Sequence, residues 1–308
     1  MWKIITVFAR CILTAFGGAV GLVIGGSLIR ALNVTQPTLP PGTDASQLLL
    51  LSLGSAFGIS LILAPVASRL RVPVLERAAV LFLPLWAIQG PISAGEGYFF
   101  TTYGGQGSQL ITTAASSLAL SLGLAVLFPP KAVDRRLMSE LRAWFATRTA
   151  WSWSWRVVAA GALYLPAYWL FGLLAYSIVH PYYENTALGL GLRVPTAEII
   201  VPLEIIRGIA FVVVLLPLTA LVDRPRWSLA GWLWLVIALL SGWAPLLTAA
   251  FLPAEVRLVH GTEITLDSLA QAVAIAVLLA RSDSYYVAGS PRAIGQVVAP
   301  TEHSVSSA

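Results

Sequence analysis

From Cys11 to Ile29, nineteen residues pass without a charged side chain. Runs of this kind recur along the chain. About 20 apolar residues suffice to cross a bilayer core of roughly 30 Å as a helix. Inside hydrocarbon every backbone N–H and C=O must be satisfied within the protein, so a spanning run is an α-helix or part of a closed barrel. These runs are continuously apolar rather than alternating, which argues against barrel strands. The chain therefore reads as an all-α integral membrane protein. Its composition agrees: 57% hydrophobic and 11% charged over 308 residues leaves too few charges to cover a soluble domain.

About eight transmembrane helices are expected, over roughly 11–30, 47–68, 76–94, 109–128, 157–179, 198–221, 228–250 and 263–280. The first follows Lys3 and Arg10, as a signal sequence would. Its length exceeds a cleavable core of about 7–15 residues and no small-x-small site follows, so it reads as an uncleaved helix. Pro84 and Pro91 interrupt the third.

Lys and Arg set the orientation. Arg69, Arg71 and Arg77 follow the second span, Lys131, Arg135, Arg136, Arg142 and Arg148 the fourth, and Arg224 and Arg226 the sixth. Arg281 and Arg292 lie in the tail, whereas the intervening loops hold few cations. Both termini are expected in the cytoplasm, with the chain in the inner or plasma membrane. The net charge of +5 is then the charge of basic loops. No basic groove or helix face suited to nucleic acid is visible. Cys11, the only cysteine, excludes an intramolecular disulfide and a cysteine metal cluster.

Two windows repeat. Residues 59–83 match 211–235 at an offset of 152, pairing Pro65 with Pro217 and Pro73 with Pro225. "SLALSLGLAVLF" from Ser117 matches "SLAQAVAIAVLL" from Ser268 at an offset of 151. The expected organisation is two parallel four-helix repeats, 1–130 and 156–281, joined by an amphipathic linker over 131–155 that is basic and Trp-rich. A disordered tail is expected over 282–308. Gly90 pairs with Gly242, each soon followed by proline at Pro91 and Pro245. Broken helices in matching positions point to a binding site, or to simple kinks.

The charges within spans are unequally distributed: the second and fourth spans carry none, whereas the sixth and eighth do. Glu204 and Arg207 lie in "VPLEIIRGIAF", and Arg257, His260, Glu263 and Asp267 open the eighth segment. A charge within the bilayer costs about 2.5–3.5 kcal/mol, so these six are expected to face the bundle interior on the outer side. If helical, the last four fall within about 120° of arc, unless Gly261 breaks the helix. Plainer readings are an ion pair between Glu204 and Arg207, and favourable placement of Glu263 and Asp267 near a helix N-terminus. His260 beside Glu263 suits proton transfer. His180 is a neighbour that the sequence alone does not place. Tyr182, Tyr183 and Trp243 suit an aromatic rim.

The stretch "LPAEVRLVHGTEITLDSLAQAVAIAVLL", with "EIIRGIAF" and "HPYYEN" upstream, resembles uncharacterised bacterial multi-pass inner-membrane proteins carrying an Arg-x-x-His-x-x-Glu run before the last helix. The resemblance covers mainly the second half and implies a bacterial inner-membrane setting without an activity. "EIIRG" does not fit the Glu-Glu-x-x-x-Arg motif of intramembrane CAAX-type proteases. HExxH, GxSxG and phosphate-loop motifs are absent.

The leading expectation is a carrier or permease-like protein with a polar site in the outer leaflet, binding a small polar solute or a lipid through Glu204, Arg207, Arg257, His260, Glu263 and Asp267. One alternative is a membrane-embedded enzyme on a lipid-type substrate, with His260 and Glu263 as an acid–base pair. The other is a non-catalytic partner subunit. The bilayer is the one partner the sequence names; no cofactor or oligomeric state follows from it.

Overall fold

The computed structural model describes residues 2–37 and 44–280. The tail 282–308, with Arg292 and His303, lies outside the described residues, as does Arg281. The fold is all-α. Among the described residues, eight helices are long and apolar enough to cross a membrane: Ile4–Ala31, Ser46–Ala67, Val74–Phe100, Gln106–Leu127, Ala150–Glu184, Ala197–Leu221, Arg226–Thr248 and Ala254–Leu279. They are numbered below as the first to eighth spans.

The individual helices are α1 (Trp2–Ala31), α2 (Ala45–Ala67), α3 (Val74–Ala87), α4 (Ser93–Phe100), α5 (Gln106–Leu127) and α6 (Leu137–Phe145). They continue as α7 (Ala150–Ala162), α8 (Tyr164–Glu184), α9 (Ala197–Leu221), α10 (Arg226–Ile237), α11 (Ala244–Thr248) and α12 (Ala254–Leu279).

The third and seventh spans are each interrupted by a π-helical turn, at Ile88–Ile92 and Ala238–Trp243. A proline within a helix removes a donor and pushes its ring at the preceding turn. A wider turn relieves that crowding, and side chains take up carbonyls around it. Gln89 Nε2 donates to the Leu85 carbonyl at 3.2 Å and Ser93 Oγ to Ile88 at 2.8 Å. Ser241 Oγ donates to Ile237 at 2.8 Å. The third span therefore runs on to Phe100 instead of stopping near residue 94.

Two more boundaries differ from expectation. The eighth span begins at Ala254, so the whole cluster from Arg257 to Asp267 is helical and Gly261 does not break it. Glycine in a helix costs only about 1 kcal/mol, and here it makes room for a neighbour. A Cβ at Gly261 would lie 2.7 Å from the Trp243 ring. The linker's separate helix is only α6, while Trp151, Trp153 and Trp155 already sit on α7. Trp144 is buried against Trp153, ring centroids 4.5 Å apart, whereas Trp151 is exposed.

The first span packs along the second and fourth, and the third packs on the fourth. The fifth packs along the sixth and eighth, and the seventh on the eighth. Across the middle, the second meets the seventh and the third meets the sixth. Glycines allow the tightest crossing: a Cβ on Gly161 of α7 would sit 2.6 Å from the Ile209 backbone of α9.

One end of the bundle is basic and tied by ion pairs. Arg71 pairs with Asp134, Arg135 with Asp223, and Arg136 with Glu76 at 3.5 Å. Arg77 is buried there, its Nη2 donating to the Ala125 carbonyl at 2.6 Å near the close of α5. Arg148 and Arg156 donate to the carbonyls of Leu278, Leu279 and Ala280 at the end of α12. Cations suit helix C-termini, where unsatisfied carbonyls gather. At the far end the loops meet differently: Thr101 bridges to Leu192, and Arg193 Nε donates to the Phe99 carbonyl at 2.6 Å.

Candidate binding site

The site lies near the far end, where the third to eighth spans surround a cavity of about 450 Å³. Arg207 forms its floor. This guanidinium comes from the third turn of α9, just before Gly208, where α9 crosses α7 closely. The close crossing puts Tyr164 and Phe211 beside it, each ring centroid 5.5 Å from Cζ. Cations are stabilised over aromatic faces, and more so away from water.

Two carboxylates hold the same nitrogen. Arg207 Nη1 donates to Glu96 Oε1 at 2.8 Å and to Glu204 Oε2 at 3.4 Å. Glu204 is wholly buried and precedes Arg207 by one helical turn. Glu96 reaches in from α4, beyond the π-helical turn of the third span, and its side chain remains 30% exposed to the cavity. Burying one charge of an ion pair alone is costly, whereas a hydrogen-bonded pair offsets much of that penalty.

The eighth span supplies the opposite wall. His260 Nδ1 and Glu263 Oε2 are 2.9 Å apart, and His260 Nε2 lies 3.2 Å from the Tyr183 hydroxyl. With one imidazole nitrogen able to donate while the other accepts, the three side chains form a continuous hydrogen-bonded chain through the ring. Asp267, one turn below Glu263, is 1% exposed and lines the same cavity. Its Oδ1 has no partner within the protein, and neither has Glu204 Oε1. Below these, Gln271 Nε2 donates to the Gly208 carbonyl at 3.2 Å and ties α12 to α9.

Five of the six residues singled out in the sequence therefore come together: Glu204, Arg207, His260, Glu263 and Asp267. Arg257 does not join them. It sits at one edge of the polar arc and lines a separate cleft with Trp243 and Leu258, between the second, seventh and eighth spans. Tyr183 belongs to the site, while Tyr182 turns away to donate to Glu255 at 2.7 Å. His180 pairs with Glu184 at 3.4 Å and borders a side cleft of about 230 Å³. That cleft is lined by Trp169, Leu173 and Tyr176, and it reaches His260 and Glu263 from the flank of the bundle.

Glu96 is the functional candidate the sequence reading missed. The available signal was a single carboxylate between Gly95 and Gly97, after a proline break, in a segment otherwise free of charge up to residue 108. Among the described residues no three His, Cys, Asp or Glu side chains are grouped as a metal site. The arrangement sets four carboxylates, Glu96, Glu204, Glu263 and Asp267, against one guanidinium and one imidazole. Such a surface attracts cations and donors.

No protein-family profile, curated protein or solved structure matches the chain.

Proposed function

We propose that this polytopic membrane protein is a carrier, and that the acidic cavity takes a small cationic or zwitterionic solute from the extracytoplasmic side. The observation that carries this reading is the convergence of Glu96, Arg207, Glu263 and Asp267 on one cavity. Asp267 Oδ1, buried on the cavity wall and unpartnered within the protein, supplies an acceptor for an ammonium group. Arg207 offers a counter-charge for a carboxylate. The basic end would face the cytoplasm, following the excess of Lys and Arg in its loops. The resemblance to bacterial inner-membrane proteins agrees with that setting.

The reading includes two parallel four-helix repeats. Its support is the offset of 151 to 152 in sequence, a π-helical turn in both the third and seventh spans, and like helix pairings in each half. Rocking of one half against the other around a site at their junction is a known way to alternate access.

The test is transport by the purified chain in proteoliposomes, with lysine, putrescine and glycine betaine as probes. Uptake of at least one is expected, and Glu263→Gln or Asp267→Asn should lower it about 100-fold, on the scale of removing one charge-assisted contact of 2–3 kcal/mol. Absence of uptake for all three, or full uptake by both variants, removes the assignment.

A second reading has its own support. The chain Tyr183–His260–Glu263 stands where the side cleft meets the cavity. That geometry suits acid–base chemistry on a lipid-type substrate entering from the flank. Turnover lost in His260→Ala but retained in Glu204→Gln would favour the enzyme over the carrier.

A further inference from the structure

A second cavity, of about 470 Å³, lies in the other half of the bundle. It is enclosed by the first four spans and α11. It sits toward the far end, since Leu48 and Leu49 belong to the first turn of α2 and Thr248 closes α11. Among the described residues, no ionisable side chain lines it. Its polar lining includes Ser52, Ser55, Gln89, Gln109, Thr112 and Thr113.

Most of the hydroxyl hydrogens on this wall, those of Ser55 and Ser117 excepted, are already committed. Ser52 Oγ donates to the Leu48 carbonyl at 2.8 Å, Thr112 to Ser108 at 2.9 Å and Thr113 to Gln109 at 2.6 Å. Gln109 Nε2 donates to the Gln89 carbonyl at 3.0 Å, and Gln89 Nε2 to Leu85 at 3.2 Å. A hydroxyl has one hydrogen but two lone pairs, so what remains for an occupant is mainly acceptor capacity. The rest of the wall is apolar, including Leu22, Ile59 and Leu120.

The two cavities correspond position by position. At an offset of 152, Ser52 meets Glu204, Ser55 meets Arg207, and Glu96 meets Thr248. At 151, Gln109 meets His260, Thr112 meets Glu263 and Ser116 meets Asp267. All of these line one cavity or the other, except Glu204, which lies behind Arg207. Each ionisable residue of the acidic site is thus matched by a neutral hydroxyl or amide. The cavities also adjoin, because Gln109 and Pro245 border both.

We propose that this neutral cavity is a second binding site, for an uncharged ligand that presents hydroxyl or amide donors on one side and apolar surface on the other. The correspondence rests on the repeat reading; the cavity and its acceptor-lined wall do not. Absence of charge excludes ions by their desolvation cost, while unfilled acceptors select for donors. Unpartnered donors of a bound alcohol would then be satisfied where an ester's oxygen would not.

The experiment uses the full chain in detergent micelles and native mass spectrometry. The probes are monoolein, methyl oleate and oleate, which share a tail and differ in donors and charge. Monoolein adducts should persist while methyl oleate and oleate adducts are lost. The Ser52→Ala/Thr113→Val variant should weaken the monoolein adduct about tenfold, the effect of roughly 1.4 kcal/mol. Glu263→Gln, outside this cavity, should leave the adduct unchanged whether or not it lowers transport. Should the double variant not fold, Thr112→Val takes its place. Displacement of monoolein by glycerol would mark a water-soluble polyol as the source of the ligand, and persistence would mark a lipid alcohol. Equal retention of methyl oleate, no monoolein adduct, or an adduct insensitive to the hydroxyl variants overturns the proposal.

Discussion

Arg207 has two carboxylate partners on one nitrogen and two aromatic rings beside it, and Glu204 has no exposure at all. Removing one member of such a set leaves the other charge buried and uncompensated, which costs about 3–5 kcal/mol. Arg207→Leu should therefore destabilise the protein by about that amount, measured by denaturant unfolding in mixed micelles. Combining it with Glu204→Leu should recover much of the loss, because an apolar pair of fitting volume replaces a buried ion pair at little cost. Equal stability of parent and Arg207→Leu would show that Glu204 and Arg207 are not buried together. The pairing of Glu204 with Arg207 was legible in the sequence from their i,i+3 spacing. The role of Glu96 was not, since its partner is 111 residues away and no periodicity links them. Arg257 was misleading for a related reason. Helical arc places it near His260, but a helix edge can serve either of two flanking neighbours, and only tertiary packing decides which.

At the scale of the element, hydrocarbon length made the eight spans legible, and proline marked where the third and seventh would break. What form the breaks take was not legible. A kink, a gap and a π-helical turn all begin with the same missing donor, and only the surrounding packing selects among them. Glycine carries the same ambiguity. Gly161 lies against the Ile209 backbone, whereas a Cβ at Gly231 of α10 would meet nothing within 4 Å. Gly161→Val should force α7 from α9 and cost about 1–3 kcal/mol or more, as overpacking does. Gly231→Ala should instead stabilise by about 0.5–1 kcal/mol through helix propensity. Thermal melts of both variants check this, and equal shifts of the same sign would contradict the packing described.

Across the whole molecule, an even number of spans returns the chain to the side where it began. The ends of α12 and the linker already meet at the basic end through Arg148 and Arg156. If that end is cytoplasmic, Ala187→Cys in a Cys11→Ala background should react with an impermeant thiol reagent on intact cells. Ala132→Cys should react only after the membrane is opened. Both positions are exposed, so the contrast reports sidedness rather than burial. The reverse pattern would invert the topology and with it the side on which the acidic cavity lies. The helix pairings of spans one to four recur in spans five to eight, yet the two cavities differ, one lined by charged side chains and one by neutral ones.

The acidic cavity depends on Glu96, from the third span, meeting Arg207, from the sixth. A double-mutant cycle of Glu96→Gln and Arg207→Lys on unfolding free energy measures that meeting directly. Coupling within about 0.5–3 kcal/mol is predicted for residues that share a charge-assisted hydrogen bond. Additive effects, with coupling below about 0.3 kcal/mol, would mean the two spans do not bring their charges to one cavity.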